Sequence, residues 1–216
     1  MDYKTADHYL GSTARERLIY SSLPSSQFMI RIFTLYPSDS EDAPIQGYLH
    51  VVPLSEAPQY EAWSYVWGSK ERPSRILIGD CKLSVTANLL EALCHLRGGT
   101  NEDSRVLWID AICTDQNHDA ERTDQVRRMR DIFASSINVL TWFGVGDEDV
   151  SLAMKALTIE SSTGSLPSWD EEEVRMIDPG LEKLLRNPWW SRVWTVQELF
   201  VPSPSHTVVY GKNSIR

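Results

Sequence analysis

Residues 187–200 read NPWWSRVWTVQELF and set one carboxylate, Glu198, among three tryptophans. Proline suits the first turn of a helix, so the stretch is expected to be a helix starting at Pro188. On it Trp194 and Glu198, four residues apart, share a face that Trp190 and Val193 continue toward the N-terminus. A carboxyl group packed beside indole loses hydration. Desolvation raises a carboxyl pKa, and enzymes use such settings to tune acids and bases. The other reading of the same residues is a partly exposed glutamate paired with Arg192 or another cation. This segment alone leaves both open.

A second candidate is the group Asp110, Cys113 and His118 in IDAICTDQNHD. It directly follows a predicted strand, where open α/β sheets place ligand sites, so a Cys–His nucleophile pair has to be weighed. Against it, cysteine is often a small buried hydrophobe, and His118-Asp119 stands at an expected helix start, where both would cap. Other signatures are missing. There is no G-x-x-x-x-G-K-[ST] loop, GVG at 144–146 lacks the rest of a dinucleotide fingerprint, and the acidic DED at 147–149 lacks the period of a calcium loop.

The elements that must hold these residues follow from pattern. FMIRIFTLY alternates apolar and polar residues like a strand, and YEAWSYVWG is a second strand ended by Gly68. RILIGDCKLSV sets Gly79-Asp80 between two alternating runs, the pattern of a two-residue hairpin. TANLLEALCHLRGG is an amphipathic helix with Leu89, Leu90, Leu93 and Leu96 on one face. RVLWIDAI and NVLTWFG are nearly continuous apolar runs, as in strands covered on both faces. Between them a helix from about Ala120 carries the stripe Val126, Met129, Phe133, Ile137.

The resulting order, strand-helix-strand-helix-strand, predicts an α/β fold with a mostly parallel sheet flanked by helices. It is preceded by an added N-terminal strand and hairpin region. Residues 1–26 form a polar leader, 27–216 a single domain, and about 145–187 an insertion before the last core helix. The insertion holds a helix at SLAMKALTIE and a Ser/Gly/Pro loop before DPGLEKLLRN. A last strand, HTVVYG, follows.

With 42% hydrophobic and 24% charged residues the 216-residue chain is composed to fold rather than to stay disordered. A net charge of −9, with basic residues dispersed except in QVRRMR, argues against nucleic acid as a partner. Cys81, Cys94 and Cys113 are an odd, scattered set, which suits a reducing compartment rather than a disulfide framework or zinc site. No apolar run approaches the roughly 18 residues of a membrane span, and the expected location is cytoplasmic.

Three segments in order, YEAWSYVWGS, LWIDAICTDQNHDAERTDQVRRMRDIFASSINVLTWFG and NPWWSRVWTVQEL, resemble the successive blocks of the fungal heterokaryon-incompatibility (HET) domain over about residues 28–213. The resemblance implies an intracellular domain that triggers cell death after non-self recognition. In other members it is often joined to nucleotide-binding or repeat modules. HET domains in turn resemble TIR domains, whose flavodoxin-like fold agrees with the strand and helix order above. WTVQEL resembles the TIR pattern of Trp, three residues, then Glu-Leu, with Thr195 where TIR patterns usually have Cys. The 145–187 segment is longer than the usual connection.

The TIR likeness gives Glu198 the role of NAD-cleaving residue. It makes Ser64, Tyr65, Trp67 and Gly68 a pocket wall, with a strand cap packed on the core as the alternative. Asp110 would hold ribose hydroxyls or cap its loop. Gln116, Arg122 and Gln125 project from the next turn and helix, with Arg122 meeting pyrophosphate or pairing with Asp119 or Asp124. Arg192 and Trp194 complete the set, Trp194 as nicotinamide platform or as core. NAD or NADP would be a substrate, with no prosthetic group and no metal. Partners implied are a second copy of the chain, through the loop after Asp110, and an upstream recognition or nucleotide-binding protein. Two readings stand beside this one: a non-enzymatic interaction module of the same fold, and a thiol hydrolase built on Cys113.

Overall fold

The computed structural model describes residues 19–24, 27–100, 102–163, 170–195, 198 and 205–215. Residues 1–18 and 25–26 of the expected leader, the Ser/Gly/Pro loop at 164–169 and positions 196–197 and 199–200 of the expected last core helix lie outside these. Nine strands form one sheet: β1 (Met29–Leu35), β2 (Gln46–Pro53), β3 (Glu61–Tyr65), β4 (Ser74–Ile78), β5 (Cys81–Val85), β6 (Arg105–Ile109), β7 (Asn138–Trp142), β8 (His206–Tyr210) and β9 (Asn213–Ile215). Their order is β5-β4-β2-β1-β6-β3-β7-β8-β9.

The run β6-β3-β7-β8 is wholly parallel. It includes β6 and β7, whose apolar continuity predicted burial on both faces, and every residue of β7 is buried. The chain goes from β3 to β6 on one side, then crosses to β7 on the other. That reversal places a topological switch point at the carboxyl end of β3, where open α/β sheets bind ligands.

Outside this block the sheet is mixed rather than mostly parallel, because hairpin-type pairs are attached at both sides. β1 pairs antiparallel with both β2 and β6, and β8 with β9. The β4–β5 hairpin turns at Gly79-Asp80 as its spacing predicts, with Ile78 opposite Cys81. Sequence reading missed β2, whose residues are largely exposed and lack a clean alternation. At Gly47 a Cβ would stand 2.2 Å from the Thr34 carbonyl oxygen, so only glycine lets β2 lie this close to β1.

Helix α1 (Ala87–Leu96) starts at Thr86, whose side chain accepts the Leu89 amide, and buries Leu89, Ala92, Leu93 and Leu96. Burying each leucine contributes roughly 1.5–3 kcal/mol. After β6 comes the single turn α2 (Asp110–Cys113) and then two helices, α3 (Asp119–Arg127) and α4 (Met129–Ala134), where one was expected. The break at Arg128 separates an almost wholly polar helix from one that buries Met129, Ile132 and Phe133. Ile137, assigned to the apolar stripe, lies beyond α4 and is 41% exposed, its amide bonded to the Tyr60 carbonyl.

Residues 145–187 form α5 (Glu148–Thr163) and α6 (Glu171–Leu185), the latter begun by an Asp170/Glu173 capping box. They pack together so tightly that a Cβ at Gly180 would meet the Asp149 carbonyl oxygen at 2.1 Å. Val150, Ala153, Met154 and Leu184 join Phe143 and Trp189 in a small second core. The expected helix from Pro188 is instead a 3-10 turn, Pro188–Ser191, followed by Arg192 in an extended conformation. Asn187 and Pro188 favour that turn over an α-helix here, since Asn187 bonds backward as well as forward. Among the described residues no helix is long and apolar enough to cross a membrane.

Candidate active site

Ser64, the penultimate residue of β3, points into the protein and is fully buried. Its hydroxyl is the hub of a network at the switch point. It donates to Glu198 Oε2 at 2.6 Å and accepts from Trp189 Nε1 at 2.6 Å and from Arg192 Nη1 at 3.2 Å. Arg192 in turn grips the carboxylate with both nitrogens, Nη1 to Oε2 and Nη2 to Oε1, each at 2.9 Å. Such a fork is among the stronger and more directional polar contacts. The Glu198 side chain is 2% exposed and that of Arg192 17%.

The motif NPWW positions this group. Asn187 donates to the Phe143 carbonyl at the end of β7 and accepts the Trp189 amide, which fixes the turn to the sheet. Trp189 is thereby driven inward. Thr195 closes the loop by bonding the Trp189 carbonyl, and the Glu198 amide bonds the Trp194 carbonyl in helical fashion. The indole that shares the Ser64 hydroxyl with Glu198 is therefore that of Trp189. Trp190 turns away to bond the Leu184 carbonyl, and Val193 is 84% exposed. An Asn-Pro start to a tight turn was the signal for this register.

In front of the network lies a cavity of about 480 Å³. Eight of the sequence-predicted residues line it: Trp67, Gly68, Asp110, Gln116, Arg122, Gln125, Arg192 and Trp194. Ser64 and Glu198 do not; they lie behind Arg192. Tyr65 is not a wall of it either. It is buried on the core, with a hydroxyl that makes no hydrogen bond among the described residues. Burial, and next the charge of Asp110, push its phenol well above the ordinary range. Lining residues that sequence reasoning left out include Trp108, Val126 and Met129. Trp108 Nε1 and Gln125 Oε1 are buried polar atoms of this lining without a hydrogen bond among the described residues. None of the described residues of 145–187 lines the cavity.

Asp110 follows β6 directly and sits on the cavity wall, its Oδ2 accepting from Trp67 Nε1 at 3.0 Å and its Oδ1 from the Ala111 amide at 2.7 Å. Burial pushes its pKa up to about 6, with the Glu198 charge adding to the rise and Arg192 opposing it. Gln116 bonds the Asp110 carbonyl, and Arg122 bonds the Gln116 carbonyl and pairs with exposed Asp119. The site thus holds two carboxyls, two guanidinium groups and several indoles at the carboxyl ends of adjacent parallel strands. The cavity lining suits an anionic ligand with flat rings, and Glu198 stands behind it with both oxygens on Arg192.

The thiol alternative fails on geometry. Cys113 is buried against the Leu107 carbonyl and the Ile109 amide, and burial pushes its thiol up to about 12. His118 caps α3 by accepting the Glu121 amide. Asp147 and Asp149 of the acidic cluster both bind Lys183. A larger cavity, about 1060 Å³, lies by the first residues of β3, β6 and β7, where Glu61 pairs with Arg105, and no predicted site residue lines it.

The family model described as heterokaryon incompatibility protein (HET) matches residues 60–198, which runs from just before β3 to Glu198. Over 212 residues the chain is 27% identical to heterokaryon incompatibility protein 6, OR allele, of Neurospora crassa, an alignment that covers 78% of this chain and 31% of that protein. The chain therefore spans about a third of that relative's length. No solved structure matches it.

Proposed function

The chain belongs to the heterokaryon incompatibility (HET) family, and on that premise we propose that it is a cell-death domain of fungal non-self recognition that acts by cleaving the nicotinamide–ribose bond of NAD. The observation that carries this reading is a fully buried carboxylate, Glu198, held at the switch point of a parallel sheet beside a cavity of nucleotide-compatible chemistry. The order β6-β3-β7-β8 agrees with a flavodoxin-like, TIR-related plan.

In the reaction the C1′–N bond breaks and its electron pair passes to the nicotinamide ring, which enters cationic and leaves neutral. No acid is needed for that departure. Positive charge develops on the ribose, and Glu198 stabilises it in a site shielded from water. Water then adds at C1′ and loses a proton, giving ADP-ribose. Trp67 and Trp194 offer faces for the rings, Arg122 and Arg192 charge for the diphosphate, and Asp110 acceptors for ribose hydroxyls.

Nicotinamide release from NAD by the purified chain tests this, with Glu198→Gln alongside and a melt on each preparation. The variant is expected to fold and to lose about a hundredfold to a thousandfold in rate. A folded Glu198→Gln protein with full turnover would remove the carboxylate from the mechanism. TIR-like action further implies that specific activity rises with protein concentration as copies associate. One observation favours a second reading, a non-enzymatic interaction module: both oxygens of Glu198 are taken by Arg192. No loss of NAD at any concentration, associated protein included, selects it.

A further inference from the structure

Glu198 as it stands offers the cavity nothing. Both its oxygens are occupied, and the group between it and the cavity is the Arg192 guanidinium. Arg192 is the member of the pair placed to move. It lies in extended backbone between a 3-10 turn and the following helical turn. Among the described residues its guanidinium has three hydrogen-bond acceptors, the two Glu198 oxygens and the Ser64 hydroxyl, all from side chains. A second guanidinium, Arg122, lines the same cavity half-exposed, held by a carbonyl and by the exposed Asp119 carboxylate. Exposed pairs of that kind are worth little and yield readily to a better anion.

We propose that Arg192 is an anion-operated gate: a diphosphate entering the cavity draws its guanidinium off Glu198 and so bares the carboxylate for the ribose. A ligand can shift the Arg192 equilibrium only by its preference for one of the two positions, and a diphosphate bridging Arg122 and Arg192 supplies that preference. The gate makes the diphosphate a requirement for chemistry as well as for binding. Binding energy from a part of the substrate remote from the broken bond is spent on presenting the catalytic group. The cleavage chemistry in this proposal rests on the NAD reading above, whereas the competition between diphosphate and Glu198 does not.

Two measurements separate the layers. In the first, inorganic pyrophosphate is titrated calorimetrically into the wild-type chain, Glu198→Gln and Asp110→Asn at pH 8. Removing the gate's internal competitor is expected to tighten pyrophosphate binding at least tenfold in Glu198→Gln. Asp110→Asn deletes a carboxylate that lines the cavity and leaves the Arg192–Glu198 pair in place, and should tighten it no more than about threefold. A gain in Glu198→Gln no larger than in Asp110→Asn reduces the effect to plain electrostatics and overturns the gate, as does no binding to any of the three.

In the second, nicotinamide riboside, which has the scissile bond and no phosphate, is supplied with and without millimolar pyrophosphate. Slow cleavage that pyrophosphate speeds at least tenfold, and that loses this response in Arg192→Gln, supports the gate. Fast cleavage indifferent to pyrophosphate overturns it while the NAD reading stands. No cleavage of NAD or the riboside under any condition removes the NAD reading, and the calorimetric comparison then decides the gate alone.

Discussion

Among the described residues two arginine–glutamate forks are buried, and they are built for opposite ends. Arg31 on β1 meets Glu121 on α3 at 2.5 Å and 3.1 Å, with side chains 1% and 10% exposed. Both terminal nitrogens of Arg31 and one oxygen of Glu121 are also tied to the main chain. Arg31 also donates to the carbonyls of Cys113 and Ser21 and lies over the Tyr20 ring, while Glu121 accepts the Asp115 amide. Arg192 and Glu198 share the same fork geometry, yet among the described residues the Arg192 guanidinium bonds only side chains, and Arg192 also lines the cavity. A buried ion pair is weak evidence of stability in itself, since desolvation offsets much of its attraction. What distinguishes the two is whether backbone acceptors hold the guanidinium in place.

The largest expected effect tests that distinction directly. Arg31→Ala leaves Glu121 unpaired and unties Ser21 from β1, and should cost about 3–5 kcal/mol in denaturant melts. Arg192→Ala should cost less, about 1–3 kcal/mol, because Glu198 keeps the Ser64 hydroxyl and gains water through the cavity. Equal losses would break the comparison.

Next in size is Asp110→Asn, which asks whether Arg192 is shared with a second carboxyl. Folding raises the Asp110 pKa from the ordinary value of about 3.9 to about 6. The folded state then holds the proton more tightly than the unfolded state. Stability attributable to Asp110 is therefore highest below pH about 4, falls as pH climbs to about 6, and is level above. The groups acting on this carboxyl include Arg192, Glu198, Trp67 and the Ala111 amide, and its charge in turn acts on Tyr65 and Cys113. Replacing it should stabilise the protein at pH 7 by up to about 3 kcal/mol, less about 1 kcal/mol for the lost Trp67 bond. Melts across pH 4–7 should lose their slope in the variant, and an unchanged slope would assign it to another group.

The smallest effect on stability belongs to Arg122→Ala, within about 0.5 kcal/mol, because its pair with Asp119 is exposed. Pyrophosphate affinity should nonetheless fall severalfold in calorimetry. A large drop in melting temperature would mean that Arg122, like Arg31, is a staple of the fold.

Much of the parallel block could be read from the chain alone because β3, β6 and β7 are covered on both faces, which demands the unbroken apolar runs that made them visible. β2 and β9 escaped for the converse reason: one is largely exposed and the other has three residues, too few to show a period. The helix break at Arg128 was hidden by Val126, Met129 and Phe133, which keep helical spacing across it. At the site, flanking tryptophans correctly suggested that Glu198 is buried. The 3-10 turn then brought Trp189 into the network, since three residues per turn and an extended Arg192 set it inward. Pairing with Arg192 and burial were read as rivals, and the fold combines them.

Ser64 makes its three side-chain contacts with residues 125, 128 and 134 positions further along the chain. A ribosome therefore delivers the strand that carries the hydroxyl, and with it Trp67 and Asp110, long before anything that can complete the arrangement. A copy cut short between residues 130 and 197 has much of the cavity lining and no carboxylate behind it. Any activity that resides at Glu198 is withheld from copies terminated before that residue.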